Sequence, residues 1–333
     1  MEDTIAAIST ALGPGGIAIV RMTGPRSLAV ADAIFMSRPD KPSAFKSHTL
    51  QFGSIGNNGD LVDQVMMAVM HPPRTYTGEL TVEINCHGGT LPARKVLAAC
   101  LQNGARLAEP GEFTKRAFLN GKIDLTQAEA VMDVIAAKTD RAHAAALQAM
   151  EGHLAGKINR VRDTLIEVLA HIEAYIDFPE DDIEPATLSE IRQKLTAGVT
   201  ELEQLVATAR EGKVLREGVR VAIVGRPNAG KSSLLNALLG EERAIVTPVA
   251  GTTRDTVEEQ ASLNGIPVVL TDTAGIRAAR GKLERLGVER SKQSAQHADL
   301  VLYVIDASKP LRQADLEILH KRSVLECIVV LNK

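Results

Sequence analysis

The stretch GRPNAGKS at residues 225–232 decides the fold of the last third of this 333-residue chain. It matches the pattern GxxxxGK[ST] and lies between an apolar run at 221–224 and a helix-forming segment that begins near Ser233. Glycines let consecutive backbone N–H groups curl round an anion, and the helix N-terminus adds a favourable dipole. In such a loop Lys231 reaches the β- and γ-phosphates and the Ser232 hydroxyl ligates Mg²⁺. The pattern therefore predicts a phosphate-binding loop.

A second phosphate motif, TDTAG at residues 271–275, ends another apolar run about forty residues later. Asp272 is placed to hold Mg²⁺ through water, and the Gly275 N–H to sense a γ-phosphate. Further β-branched runs at 300–305 and 328–331 alternate with helical segments, which is typical of a parallel sheet buried on both faces. Residues 216–333 are therefore predicted to form a P-loop (Ras-like) GTPase α/β domain.

The segment between the two motifs, TPVAGTTRD at 247–255, is predicted to be a nucleotide-sensing switch. Thr252 and Thr253 offer hydroxyl and carbonyl oxygens to a Mg²⁺–triphosphate. Ile276 follows the second motif where Ras-like enzymes have the glutamine that orients water, so hydrolysis needs another device.

Guanine selectivity is predicted from the last two residues, Asn332 and Lys333, which resemble the start of the NKxD motif. The chain ends before the aspartate of that motif. Unpaired guanine donors cost about 1–3 kcal/mol each in discrimination. We therefore expect this chain to be truncated within the motif and to bind GTP weakly.

The rest of the chain predicts two further domains. Residues 1–120 alternate short apolar runs with a helical stretch at 91–101, an α+β pattern with helices on one face of a sheet. Residues 121–215 are predicted to form amphipathic helices. The first of them is predicted to start at Asp124, which forms a capping-box pattern with Gln127. The apolar stripes of these helices exceed what so few helices cover, so we expect 121–215 to be only the first half of an α-helical middle domain, with the rest missing or supplied by another chain.

Composition excludes several classes. No apolar run approaches the roughly 18 residues of a membrane span, and the acidic start is unlike a secretory signal, so the prediction is a cytoplasmic protein without a membrane partner. The three cysteines form no CxxC pair, which argues against disulfides and zinc. Cys86 and His87 are adjacent, a poor geometry for a metal or nucleophile site, and Gly88 and Gly89 are predicted to open space for a ligand.

Three motifs carry a resemblance to a known family over essentially the whole chain. Asn228 in the P-loop, AGTTRD at 250–255 and DTAG followed by Ile276 resemble potassium-dependent GTPases that dimerise through their G domains. Within that class, PGEFTKRAFLNGK at 110–122, DLTQAEA at 124–130 and IDFP at 176–179 resemble the MnmE family of tRNA-modification GTPases.

The resemblance implies the ligands of the nucleotide site. K⁺ would be surrounded by Asn228, Thr247, Val249 and Thr252, Mg²⁺ would be ligated by Ser232 and Thr253, and Glu284 would orient the attacking water. The residues implied at GTP are Asn228, Ala229, Gly230, Lys231, Ser232, Ser233, Thr247, Pro248, Val249, Ala250, Gly251, Thr252, Thr253, Asp272, Thr273, Ala274, Gly275, Asn332 and Lys333.

The resemblance also implies a folate-binding, dimerising N-terminal domain, in which Arg21, Glu83 and Lys122 contact the folate. The one-carbon donor would be 5-formyltetrahydrofolate or methylenetetrahydrofolate. Family members form homodimers and act on tRNA with the flavoprotein MnmG, in a heterotetramer that modifies C5 of the wobble uridine. The C-terminal cysteine motif that the family needs for modification has no counterpart here, and the NKxD motif is cut short at Lys333. Taken by themselves, residues 1–333 are therefore expected to retain folate binding and N-terminal dimerisation but to have impaired GTPase activity and no tRNA modification.

Two other functions fit parts of the sequence. A ribosome-assembly GTPase of the Era or EngA type would share the P-loop, the threonine-rich switch and DTAG, but the first 210 residues show neither an RNA-binding module nor a second P-loop. A non-catalytic folate-binding dimer would fit a chain without the guanine-reading aspartate.

Overall fold

The computed structural model describes residues 3–37, 40–177, 188–226, 228–241, 258–272, 298–313, 315–316 and 326–333. The chain divides into two compact units, Met1–Ala128 and Glu129–Lys333. Each unit contains one β-sheet among its described residues.

The first unit is an α+β domain built on a six-stranded sheet of order β3-β4-β5-β2-β1-β6. Only the β1–β6 pairing is parallel. The strands are β1 Ile5–Ile8, β2 Ile17–Thr23, β3 Thr49–Asn57, β4 Asp60–Met70, β5 Thr81–His87 and β6 Arg106–Leu107, and the helices are α1 Ser27–Ile34, α2 Thr90–Gln102 and α3 Glu112–Leu119.

The core of the first unit lies on one face of this sheet, against α1 and α2. Val20 and Met22 of β2 and Ile84 of β5 are fully buried there. Because side chains alternate along a strand, the residues between them, including Arg21 and Glu83, lie on the opposite face. The predicted layering of helices on one face of a sheet is confirmed, and it leaves the other face available for a site.

A buried arginine ties the start of the chain to α3. Arg116 is fully buried and donates to Asp3 Oδ1 at 2.7 Å, Glu112 Oε1 at 3.0 Å and Glu79 Oε2 at 3.2 Å. Arg106 donates to the same Asp3 and Glu112 carboxylates at 2.6 Å. Hydrogen bonding from Arg106 lowers the pKa of Glu112 to about 2, so this carboxylate stays ionised at neutral pH.

The second unit begins with helices. They are α4 Leu125–Ala136, which starts in the first unit, α5 Asp140–Met150, α6 His153–Asp177 and α7 Leu188–Glu217. The predicted capping box at the start of α4 is confirmed, since the Asp124 side chain accepts from Gln127 N–H and the Gln127 side chain accepts from Asp124 N–H, both at 2.9 Å. Of its apolar residues α6 buries only Val161 and Val168, and α7 buries none. The thin helical core expected from the sequence is therefore present among the described residues.

The rest of the second unit is a five-stranded sheet of order β11-β10-β7-β9-β8. Its strands are β7 Val219–Gly225, β8 Glu258–Leu263, β9 Ile266–Asp272, β10 Leu300–Asp306 and β11 Cys327–Asn332, and the helix α8 Lys231–Glu241 follows β7. β7, β9, β10 and β11 pair in parallel, as predicted. Val221, Ile223, Leu270 and Val304 lie buried between the strands and α8.

The edge strand β8 corrects the prediction of a purely parallel sheet. It pairs antiparallel with β9 through a two-residue turn in which Asn264 and Gly265 have φ of 51° and 78°. Asn-Gly is the preferred pair for such a turn, but the polar strand EEQASL lacks the apolar run that marked the other strands. An edge strand needs less apolar surface because one side of it has no neighbouring strand.

None of the helices in the described ranges has the length and apolarity of a membrane span.

Replacing Arg116 by Met is expected to destabilise the first unit by about 3–5 kcal/mol, because buried carboxylates lose their cation. Arg106→Met is the matched control. Its side chain is 46% exposed and its ion pairs are screened by solvent, so the expected loss is clearly smaller than that of Arg116→Met. Urea unfolding followed by circular dichroism measures both. Equal losses from the two variants would show that burial of Arg116 does not govern the network.

Candidate nucleotide and ligand sites

The predicted phosphate loop connects β7 to α8 at the carboxyl end of the central strand. Asn228 and Gly230 have φ of 60° and 99°, the left-handed region in which a loop turns sharply. A Cβ atom at Gly230 would overlap the Asn332 side chain, so this position requires glycine. Ser232 and Ser233 lie in the first turn of α8. The loop thus ends in a helix N-terminus, where backbone N–H groups bind an anion.

Lys231 folds back over this loop. Its Nζ donates to the carbonyl oxygens of Gly225 at 2.9 Å and Arg226 at 2.8 Å, and the residue is 8% exposed. These bonds hold the ammonium group beside the loop, where it can neutralise a bound phosphate.

The end of β11 lies against the same loop. Asn332 Nδ2 donates to the Ala229 carbonyl at 2.9 Å, and Lys333 Nζ donates to the Asn228 carbonyl at 2.6 Å. Lys333 also pairs with Asp306 at 3.4 Å. Hydrogen bonds from Ser308 and Lys309 hold the pKa of Asp306 far below its ordinary range, so this carboxylate is ionised. Asn332 and Lys333, chosen from the sequence as base-reading residues, are therefore adjacent to the phosphate loop.

The predicted Mg²⁺ residue Asp272 is the last residue of β9, and its register partner on β7 is Ile223. Since the strands are parallel, the ends of β7, β9, β10 and β11 meet at one edge of the sheet. That edge brings Asp272 and the C-terminal pair to the phosphate loop.

The remaining predicted nucleotide residues lie outside the described parts of the chain. They are Thr247, Pro248, Val249, Ala250, Gly251, Thr252, Thr253, Thr273, Ala274, Gly275 and Glu284. Their roles stay predictions.

A second candidate site lies on the open face of the first unit's sheet. Arg21 and Glu83 are register partners on β2 and β5, and Arg21 Nε donates to Glu83 Oε1 at 2.7 Å. Both side chains keep part of their surface exposed, at 30% and 22%. Lys122 donates to the Pro73 carbonyl at 2.9 Å, in the loop before β5. The paired guanidinium and carboxylate present a donor edge and an acceptor side by side.

Two aromatic residues that the sequence reasoning missed flank Arg21. Its guanidinium carbon lies 5.7 Å from the centroid of the Tyr76 ring and 5.9 Å from that of the Phe113 ring, within cation–π range. The Tyr76 hydroxyl hydrogen-bonds Thr114 on α3 at 2.8 Å. No spacing along the chain relates residues 21, 76 and 113, and only the motif containing Phe113 stood out in the sequence.

The adjacent residues Cys86 and His87 point to opposite faces of the sheet. Cys86 is buried and donates to the Ala18 carbonyl at 3.3 Å, while His87 is exposed and pairs with Asp63 at 2.7 Å. Burial raises the pKa of the Cys86 thiol, which disfavours a nucleophilic thiolate. In the described residues no three His, Cys, Asp or Glu side chains are grouped to hold a metal ion. The prediction against a shared Cys–His site is consistent with this geometry.

The role expected for Gly88 is wrong. A Cβ atom at this position would overlap the carbonyl group of Gly15, and its N–H donates to the Gly16 carbonyl at 3.2 Å. The absence of a side chain permits the close approach of two backbone segments, so it leaves no space for a ligand.

The fold and the phosphate loop together define the class of the second unit. A parallel sheet with a GxxxxGKS loop between its central strand and the next helix is the architecture of a P-loop nucleotide-binding protein.

Two protein-family models match the chain, the "GTP-binding protein TrmE N-terminus" at residues 4–122 and the "MnmE helical domain" at residues 125–325. The tRNA modification GTPase MnmE of Clostridioides difficile (strain 630) is 51% identical over 100% of this chain and 73% of its own length. The proteins of that name from Bacillus subtilis (strain 168) and Geobacillus kaustophilus (strain HTA426) are 50% and 52% identical over 99% of this chain, and 73% and 72% of their own lengths.

Among solved structures, Era of Aquifex aeolicus bound to GDP·AlF4⁻ is 44% identical over 34% of this chain and 40% of that chain, with a TM-score of 0.26. The whole-length identities show the family. The chain belongs to the MnmE family of tRNA modification GTPases, and its enzymatic activity is that of a GTP hydrolase.

Proposed function

We propose that this protein is a K⁺-dependent GTP hydrolase that modifies C5 of the wobble uridine of certain tRNAs, using a folate one-carbon unit and an MnmG-type flavoprotein partner. The observation that carries the proposal is the conformation of Asn228. Its carbonyl is held by Lys333, its φ is 60°, and its side chain is exposed at the phosphate loop. The exposed side chain supports a role for its amide oxygen as ligand to a cation that would lie beside the phosphates.

A monovalent cation at Asn228 would take the part that an arginine finger plays in other GTPases. Positive charge beside the transferring phosphoryl group stabilises the transition state more than the ground state. Thr247, Val249 and Thr252 would complete the K⁺ site through oxygens, and Ser232 and Thr253 would ligate Mg²⁺. Glu284 would orient the attacking water, since Ile276 stands where Ras-like enzymes place glutamine.

The proposed division of the chain has three parts, 1–120, 121–215 and 216–333. It is supported by the order of the elements: the first sheet and its helices end with α3, helices α4 to α7 follow, and the second sheet starts at β7. The first part would bind folate and dimerise. Exposed apolar side chains on its open sheet face, among them Ile17 and Phe52 at 67% exposure each, support an association there.

The folate would bind at Arg21 and Glu83. A reduced pterin carries an amino group, a ring N–H and a carbonyl along one edge. A carboxylate accepts from the first two and a guanidinium donates to the third. Arg21 uses only Nε toward Glu83, which leaves its terminal nitrogens and the second Glu83 oxygen for such an edge. Lys122 would hold the glutamate tail of either 5-formyltetrahydrofolate or methylenetetrahydrofolate.

The partners proposed are those that the resemblance to the family implies. A homodimer would combine with MnmG into a heterotetramer that acts on tRNA in the cytoplasm. The flavin would belong to the partner, and folate and GTP to this chain. The net charge of −3 gives no overall basic field, so tRNA would be held by local contacts or by the partner.

Replacing Asn228 by Gly tests the cation site. Glycine adopts φ near 60° without strain but offers no side-chain oxygen. We expect GTP hydrolysis to be at least 10-fold faster in KCl than in NaCl for the unmodified protein, and the two rates to agree within about 2-fold for the variant, since the charge is worth several kcal/mol in the transition state. A phosphate-release assay measures both.

Asn264→Gly is the matched control, because Asn264 also has positive φ but lies at the opposite end of β9 from the phosphate loop. It should keep the preference for K⁺. If the unmodified protein does not distinguish K⁺ from Na⁺, the roles proposed for Asn228, Thr247, Val249 and Thr252 are wrong.

Replacing Glu83 by Gln tests the folate site. The variant keeps the shape but loses the charged acceptor, so affinity for (6S)-5-formyltetrahydrofolate should fall about 10- to 100-fold. Equilibrium dialysis measures this affinity. The control is Glu109→Gln, which changes an exposed glutamate of the same unit. Unchanged affinity in Glu83→Gln would remove this residue from the ligand site, and no binding by the unmodified protein would remove folate from the function.

A further inference from the structure

A buried carboxylate outside every recognised nucleotide motif is connected to the phosphate loop. Asp315 is 2% exposed and lies shortly after β10. Its Oδ1 accepts from the Tyr303 hydroxyl at 2.6 Å, and its Oδ2 accepts from the Arg312 N–H at 2.8 Å. The Arg226 guanidinium pairs with the same Oδ2. Three donors therefore satisfy this carboxylate, one of them a cation.

Arg226 connects Asp315 to the phosphate loop. It is the second residue of the loop that begins at Gly225, and its carbonyl oxygen is one of two that hold Lys231 Nζ. The side chain of Arg226 is thus fixed by Asp315, and its backbone by the lysine that neutralises phosphate. Arg226 therefore links the buried Asp315 to the Lys231 ammonium group.

The position of Asp315 is fixed by the residues around it. Tyr303 belongs to β10, whose backbone pairs with β7 and β11 on both sides, and it is buried. Burial raises the pKa of its phenol, so the hydroxyl stays protonated and donates. A buried carboxylate without a cation is strongly unfavourable, so Asp315 holds Arg226 in place.

We propose that Asp315 is a positioning residue of the nucleotide site, which fixes the phosphate loop through Arg226 and thereby sets the affinity for GTP. A loop that is already ordered loses less conformational entropy when the nucleotide binds. Among the described residues, the hydrogen bonds to the Asp315 carboxylate come from Arg226, Tyr303 and Arg312, and of these only Arg226 belongs to the phosphate loop. Its effect therefore falls on the ground state and the transition state alike, which changes KM and leaves kcat unchanged. This inference rests on GTP hydrolysis and is independent of the proposed K⁺ and folate sites.

The test is a double-mutant cycle on steady-state GTP hydrolysis, with Asp315→Asn and Arg226→Met. The amide that Asp315→Asn introduces is nearly the same size as the carboxylate, but it presents no charge to Arg226. Each single variant should raise KM for GTP about 10-fold and keep kcat within about 2-fold. The double variant should be no worse than the single ones, because both changes remove one contact.

Asp299→Asn is the matched control, since the Asp299 side chain accepts from the Arg220 N–H at 2.9 Å at the other end of β7. It should leave KM unchanged. Arg226→Lys keeps a cation near Asp315 and should recover most of the affinity. If Asp315→Asn does not fold, Arg226→Met against Arg226→Lys decides by the same criterion.

Three results would overturn the proposal. The first is a KM equal to that of the control in Arg226→Met or in a folded Asp315→Asn. The second is a pair of effects that multiply to about 100-fold in the double variant, which would mean that Asp315 does not act through Arg226. The third is a loss in kcat with an unchanged KM.

Discussion

The parallel pairing of β7 with β9 and β10 is the constraint on which the nucleotide site depends. It places the carboxyl ends of the strands at one edge, where Asp272 ends β9 next to β7 and the pair Asn332–Lys333 contacts the phosphate loop. None of these segments is close to another along the chain. The hydrogen bonds from Asn332 and Lys333 to carbonyls of the loop then fix its shape on one side, and the Arg226–Asp315 contact fixes it on the other. Lys231 Nζ is held by the carbonyl oxygens of Gly225 and Arg226 in the same loop.

In the first unit, the candidate site depends on which face of the sheet is buried. A sheet with one buried face must leave the other face for solvent, a partner or a ligand. Arg21 and Glu83 occupy that face and form an ion pair, and two aromatic rings lie within cation–π range of Arg21. The buried Arg116 anchors α3, and α3 carries Phe113 and Thr114, the residue that binds the Tyr76 hydroxyl. The stability of the network around Arg116 therefore bears directly on the geometry at Arg21.

The sequence allowed the prediction of what depends on local pattern. The phosphate loop has a fixed spacing, the capping box at Asp124 spans three residues, and apolar runs marked the central strands; all three are present in the structure. The edge strand β8 was not predicted because its composition is polar and its pairing depends on a turn. Tyr76 and Phe113 could not be predicted as neighbours of Arg21, because they lie 55 and 92 positions after it and approach it only in the folded chain. Asp315 could not be predicted because its sequence context does not distinguish it from any other acidic residue. Contacts of this kind are set by tertiary packing, which no periodicity encodes.

The central claim is that the loop between β7 and α8 binds and cleaves GTP. The most direct test compares GTP hydrolysis, in KCl with Mg²⁺, by the unmodified protein and by Lys231→Ala. The account predicts hydrolysis of GTP by the unmodified protein, and a loss of at least 100-fold when the ammonium that neutralises the phosphates is removed. A rate that does not change in Lys231→Ala would contradict it.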